Sequence, residues 1–201
     1  MKSPRVVLPG VVAGVLLLAV AVAFAVFLPK AHGETTLVLP DKLPGGYVAA
    51  DLRAAYEGID GATDEDKATY ATAQVNARKY SAKAFKAAGV EGVARNYLTK
   101  DGSEFIAVQL IRADGGALSP YLFTDPATAS SGTSLDHYVK AGHALCIETG
   151  TADGSGNVQQ SVIECQRSED GLTLQVTTQS SADDVAKAVG KIVDSVWDEV
   201  A

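Results

Sequence analysis

Hydrophobic and polar positions change rhythm several times along the chain. Residues Val6–Leu28 carry no charge at all, a run of 23 residues without periodicity. Leu37-Val38-Leu39 reads as a small strand, and Pro40 to Gly46 is dense in turn residues. From Asp64 an alanine-rich stretch begins in which Tyr70, Ala73, Ala77, Tyr80, Ala84 and Ala87 recur at steps of three and four, the spacing of one helix face. Thr63 with Asp66 resembles a capping box, Asp64 and Glu65 put negative charge at the amino-terminal end, and Gly89 is placed to stop the helix.

Strand patterns follow. Gly92–Leu98 and Glu104–Ile111 flank a turn containing Asp101-Gly102, and Ile106, Val108 and Leu110 alternate with Phe105, Ala107 and Gln109, so at least one face is buried. Leu118–Thr124 reads as a short strand, Asp125–Gly132 as a loop, and Ser134–Lys140 as about two helical turns. Ala144–Glu148 and Val158–Arg167 are strands joined by the flexible Asp153–Asn157 turn, and Leu172–Thr178 alternates again after Asp170-Gly171. The chain closes with a helix from Ala182 to Val200, capped by Ser181 with Asp184. Val185, Val189, Ile192, Val193, Val196 and Val200 form its apolar stripe, with Trp197 at the edge. Helices interleaved with antiparallel hairpins predict an α+β domain. In it an antiparallel sheet of two hairpin units packs in two layers with the alanine-rich helix and the C-terminal amphipathic helix, and one transmembrane helix precedes the domain.

At about 1.5 Å per residue the apolar run reaches roughly 34 Å, enough to span a hydrocarbon core of about 30 Å. A cleavable signal peptide has a shorter apolar region that ends at a small-x-small site. Ala23-Phe24-Ala25 has the right letters but lies inside the run, so length favours an uncleaved signal-anchor and leaves cleavage as the alternative. Lys2 and Arg5 keep the head in the cytoplasm under the positive-inside rule. The expected organisation is a cytoplasmic head at 1–5, an anchor at 6–28, a tether at 29–36 and an extracytoplasmic α+β domain at 37–201. The localisation that follows is the cell membrane, crossed once, with the C-terminal domain outside.

That division changes the meaning of the composition. The whole chain has 201 residues and a net charge of −7, with a mean hydropathy of +0.10. Residues after Lys30 carry fourteen basic against twenty-four acidic side chains, a net charge of −10. An acidic domain of this kind lacks the basic surface that phosphate neutralisation needs, so nucleic acid is excluded as a partner. The lysine stripe Lys79, Lys83 and Lys86 reads as a solvated face, with an acidic-partner site as its alternative.

The chain has two cysteines. If Cys146 opposes Cys165, the hairpin register centres between Ser155 and Gly156, inside the glycine-rich turn. Directly opposed non-hydrogen-bonded residues lie about 4.5 Å apart at Cα, within disulfide reach. With an export signal and no redox or zinc motif, a structural disulfide is expected over two free thiols. Closing a loop of roughly 20 residues stabilises a domain by about 3 kcal/mol in the chain-entropy treatment.

Leu39-Pro40, Leu43-Pro44-Gly45-Gly46-Tyr47, Gly142-x-x-Leu145-Cys146, Glu164-Cys165-Gln166-Arg167 and the valine-rich closing helix with Trp197 together resemble a group of exported, membrane-anchored actinobacterial proteins of unknown function. The resemblance implies a location and a disulfide. It brings no catalytic residues.

Candidate chemistry is sparse. His137 and His143, with Asp136 and Glu148 nearby, are the residues from which a metal site could be assembled, but their spacing matches no zinc signature. Asp153, Ser155, Asn157 and Glu164 fit a calcium-loop register except at its glycine position, where Val158 stands. Ser134, Asp136 and His137 lie too close in sequence to present a hydrolytic triad. Gly154-x-Gly156 lacks the third glycine of a nucleotide loop. Acid pairs such as Asp183-Asp184 and Asp64 to Asp66 sit at helix starts, where the dipole accounts for them. The expectation is a domain without cofactor, metal or catalytic residues, acting by binding or supporting an envelope protein partner. A sensor or carrier of a small ligand is the alternative, and a hydrolytic or metal-dependent enzyme a weaker one.

Overall fold

Two short strands, β1 (Lys42–Leu43) and β2 (Tyr47–Ala49), open the folded unit, and a 3-10 turn at Arg53–Tyr56 leads into helix α1 (Asp64–Ala87). Strands β3 (Glu91–Leu98) and β4 (Phe105–Arg112) form the first long hairpin. Then come β5 (Ser134–Ala141), β6 (Ala144–Ala152), β7 (Val158–Glu169), β8 (Leu172–Thr178) and helix α2 (Val185–Val200). The computed structural model describes residues 36–116, 118, 124–125, 127–155, 158–180 and 184–200. The expected anchor at 6–28 and the predicted strand at Leu118–Thr124 lie outside them, in whole or in most part. Among the described residues no helix is long and apolar enough to cross a membrane.

The fold is α+β, with the eight described strands in one antiparallel sheet of order β1-β2-β3-β4-β8-β7-β6-β5. Two hairpin units were expected. Instead β5 to β8 form a four-strand meander whose last strand pairs with β4, so the two halves share a single ladder. Ser134–Lys140, expected as helical turns, is the edge strand β5. Its backbone pairs with β6 from Ser134↔Thr151 to Ala141↔Ala144, and that ladder overrides a weak local preference. Leu37-Val38-Leu39 is not a strand. Its alternation is real, with Leu37 and Leu39 buried and Val38 exposed, but pairing begins only at Lys42.

One face of the sheet is the core. Tyr97, Ile106, Val108, Leu110, Cys146, Ile163, Cys165, Leu174 and Val176 are fully buried there beneath α2, which contributes Val189, Ile192, Val193, Val196 and Trp197. Gly190 allows the close approach, since a Cβ at that position would stand 2.5 Å from the Ala141 Cβ. The stripe read from sequence is the stripe observed. The helix begins at Val185 rather than Ala182, with the Asp184 carbonyl accepting the first N–H bonds; residues 181–183 lie outside the described residues.

Helix α1 lies on the other face, over β3, so the two helices flank the sheet instead of sharing one layer. Phe85 packs on Gly92, and Gln74 accepts a hydrogen bond from Asn96, both on the side of β3 away from the core. The capping box is present, with Thr63 and Asp66 bonded reciprocally, and Gly89 takes a positive φ just past the end. The modestly apolar face read from the spacing is turned mostly outward: Tyr70, Ala73, Ala77, Tyr80, Ala84 and Ala87 are exposed, although the Tyr70 ring lies against the buried Tyr56, and Ala71 is the helix's one buried residue. The line turned toward the sheet is Ala71, Gln74, Arg78, Ser81 and Phe85. Lys79, Lys83 and Lys86 are solvated, as read.

Candidate functional site

Arg95 occupies an inward position of β3 between Val93 and Tyr97, and its side chain is only 6% exposed. A buried guanidinium must find partners. Its Nε donates to Asp51 at 2.8 Å, while Nη1 donates to the Leu39 carbonyl at 3.0 Å and the Pro40 carbonyl at 2.9 Å. Asp41 and Asp51 complete the charge pairing at 2.8 Å each. The Tyr97 hydroxyl also donates to the Pro40 carbonyl, at 2.8 Å. These bonds explain why Leu39 and Pro40 join no ladder: side chains of β3 hold their carbonyls.

Asp51 is shared. Arg78 on α1 donates to its second oxygen at 2.8 Å, so one buried carboxylate ties the core side of β3 to the helix on the opposite face. Burial pushes the Asp51 carboxyl upward, but the hydrogen bonds from Arg78 and Arg95 outweigh it and hold the group below its ordinary range. Arg95 is likewise opposed by burial and raised by Asp51 and Asp41. Beside this lock a cleft of about 210 Å³ opens between α1 and the rim of β3, lined by Asp51, Gln74, Ala77, Arg78, Ser81, Ala94, Arg95 and Asn96. The Asn96 amide donates to Gln74 Oε1 at 2.9 Å, and Gln74 also lines the cleft. Arg78 is half exposed, and of its several donors Nη1 bonds to Asp51.

A second, larger cleft of about 530 Å³ lies between the β1–β2 turn, the start of β4, the end of β8 and the first turns of α2. Pro44, Tyr47, Val185, Val189 and Ile192 give it apolar walls, and Glu104, Thr178, Ser180, Asp184, Lys187 and Lys191 give it polar ones. The Tyr47 hydroxyl donates to Glu104 at 2.5 Å; burial raises its pKa and the adjacent carboxylate raises it further.

The residues singled out from sequence fall elsewhere. Cys146 and Cys165 face each other across β6 and β7 and are bridged, with Cα atoms 4.0 Å apart. A bulge at Thr149/Gly150 shifts the ladder by one residue beyond them, so the hairpin turn centres on Ser155. Disulfides persist in oxidising compartments and are rare in the cytosol, so the bridge fits an extracytoplasmic domain. His137 Nε2 lies 2.7 Å from the buried Glu148, with its Nδ1 buried and unbonded. His143 sits in the β5–β6 turn, 3.2 Å from Asp194, which also takes Arg167 at 3.4 Å. His137 lies within β5 against Glu148 and His143 past the end of that strand against Asp194, so the fold does not bring the two histidines together. Among the described residues no group of three or more His, Cys, Asp or Glu is placed to hold a metal ion. Asp153 accepts from Ser155, its neighbour in the turn, and Glu164 lies within β7; Asn157 is outside the described residues. Asp136 accepts from Thr149 at 2.7 Å rather than from His137. Asp64 pairs with Arg53 at 2.7 Å.

The Asp51–Arg78–Arg95 lock was not read from sequence. A signal existed in Arg95, a charge between the inward-facing Val93 and Tyr97, which demands a buried acid. No protein-family model matches the chain, and neither a curated protein nor a solved structure is similar to it.

Proposed function

We propose that the chain is a single-pass membrane-anchored, extracytoplasmic domain that binds a protein partner at the cell envelope. The observation that carries this reading is the rim cleft, where a sheet edge, an arginine with unused donors and an exposed helix flank converge. Asp51 there is a poor base, because two guanidinium groups occupy its oxygens and keep it ionised. The arrangement holds and orients; it does not activate a nucleophile. The disulfide, the 23-residue apolar run and the resemblance to exported, anchored actinobacterial proteins support the placement outside the membrane. The test is a photo-crosslinking residue at Ser81, inside the cleft, compared with one at Lys83 on the solvated face, in intact envelopes. A discrete protein species captured from Ser81 and not from Lys83 is the expected result. Equal capture from both, or none above background, overturns the reading.

The larger cleft favours a second reading, a carrier of a small ligand, because its volume falls in the range of small-molecule sites, about 300–1,000 Å³, while the rim cleft does not. Native mass spectrometry of protein taken from its own envelope would then show a bound small molecule that Val189→Trp expels. Bare protein in both samples removes this alternative.

A further inference from the structure

The outer edge of β3 has a geometry that narrows the kind of partner. The Ala50 N–H donates to the Asn96 carbonyl at 2.8 Å, so Asn96 directs its main-chain groups away from β4. In an antiparallel strand both groups of a residue point to one side and sides alternate, so Ala94 and Gly92 point the same way as Asn96. β2 reaches β3 only at Tyr97 and Leu98, and past Ala50 the chain turns off into the 3-10 turn. Gly92 and Ala94 therefore present N–H and C=O groups outward with no ladder partner among the described residues. The rim cleft lies over this stretch. Exposed edges of this kind are templates for another strand.

We propose that this edge takes the C-terminal segment of a partner protein as an added strand running parallel to β3, ending with its free carboxylate on Arg78. The proposal rests on the partner-binding reading above and deepens it. Three features select this occupant. The 210 Å³ cleft is the room of about seven waters, small for a drug-sized ligand but suited to the end of a peptide. Ala50 and Asp51 occupy the edge beyond Asn96, so an added strand must stop there. Where it stops, the Arg78 guanidinium and the Gln74 amide offer donors, which match a carboxylate and would repel an amino terminus.

The probe is a library of heptapeptides displayed with free C-termini, selected against the full-length oxidised protein in nanodiscs. Selected peptides are then synthesised as the free acid and as the C-terminal amide. The free acid should bind saturably and the amide about tenfold or more weakly. Arg78→Gln should weaken the acid toward the amide without affecting the amide. Ala94→Pro deletes one outward N–H and no bond of the β4 ladder, a position where an edge strand tolerates proline, so it should abolish binding in a folded protein. Should that variant not fold, amide hydrogen exchange in the wild type decides: Gly92 and Ala94 must slow on peptide addition. No enrichment of any peptide, equal affinity of acid and amide, or unchanged exchange at Gly92 and Ala94 overturns the proposal. If Ser81 crosslinking captures a partner equally well in the Ala94→Pro protein, strand addition fails while the binding function stands. If nothing is captured, both fail.

Discussion

Helices α1 and α2 are attached to the same sheet by different physics. α2 is the shorter, at 16 residues, yet buries seven side chains or glycine positions against β5 to β8. α1 has 24 residues and buries Ala71 alone. What holds α1 is mixed: the Gln74–Asn96 bond and the Arg78–Asp51 pair are polar, while Phe85 packs on Gly92, Ala71 joins a small apolar cluster and the Tyr70 ring lies against Tyr56. Apolar burial closes a surface by excluding water from it. A polar seam cannot close so tightly, and the rim cleft lies along that seam. Both helices border a cleft, α1 along this polar seam and α2 at its first turns, so it is the polar lining that sets the rim cleft apart.

The comparison makes opposite predictions for substitutions under each helix. The largest effect is expected at Asp51. Asp51→Asn leaves the buried Arg95 charge with only the exposed Asp41 as counter-ion, and breaking a buried pair in this way costs about 3–5 kcal/mol. Urea denaturation at pH 7 measures it. The pH dependence has a definite sign. The folded pKa of Asp51 is depressed, so its contribution is full above the ordinary carboxylate value of about 3.9 and is lost as pH falls through the lower folded value. The wild type should lose part of its stability in that acid limb, and Asp51→Asn should lack that part. On the other side, Ile192→Ala removes buried apolar volume and should cost about 2–5 kcal/mol. Its difference from wild type should not change between pH 7 and pH 3. An acid-dependent difference at Ile192 would break the distinction between the two attachments. Thr63→Ala, which removes the α1 cap, should cost about 1 kcal/mol, because a helix with so little burial depends on its ends.

The same division separates what was legible in the sequence from what was not. α2 declared itself because its valines repeat at helical spacing, and one-sided burial is what such a pattern encodes. The Cys146–Cys165 register was legible because a glycine-rich turn fixes the centre of its hairpin. Asp170-Gly171 was equally informative, since both residues take positive φ, as a tight two-residue turn requires. β5 was misread because an edge strand shows only half of a strand's usual signals; its partner β6, not its own composition, makes it extended. The alternation over Leu37–Leu39 was read correctly as burial and wrongly as pairing, because Arg95 takes the carbonyls that a neighbouring strand would have used. The candidate site was least visible of all. Asp51, Arg78 and Arg95 come from a loop, a helix and a strand, and no period or short motif links residues 27 and 44 positions apart.

The stripe Tyr70, Ala73, Ala77, Tyr80, Ala84 and Ala87 provides the smallest and most discriminating test. Helical spacing marks it as one modestly apolar face, yet Tyr80 is 75% exposed and the line through Gln74 and Arg78 faces the sheet instead. The inversion has a physical reason: Asn96 and the shared Asp51 require donors and an acceptor opposite them, and rotating the helix to bury tyrosines would strand those buried groups unbonded. Tyr80→Ser should therefore change stability by less than about 0.5 kcal/mol, the behaviour of a surface position. Equilibrium unfolding in urea measures it directly. A loss of about 3 kcal/mol or more, the cost of truncating a buried aromatic, would mean that α1 packs through its apolar stripe after all. The seam would then be apolar and closed, and neither the rim cleft nor the free edge of β3 beside it would be open to a partner.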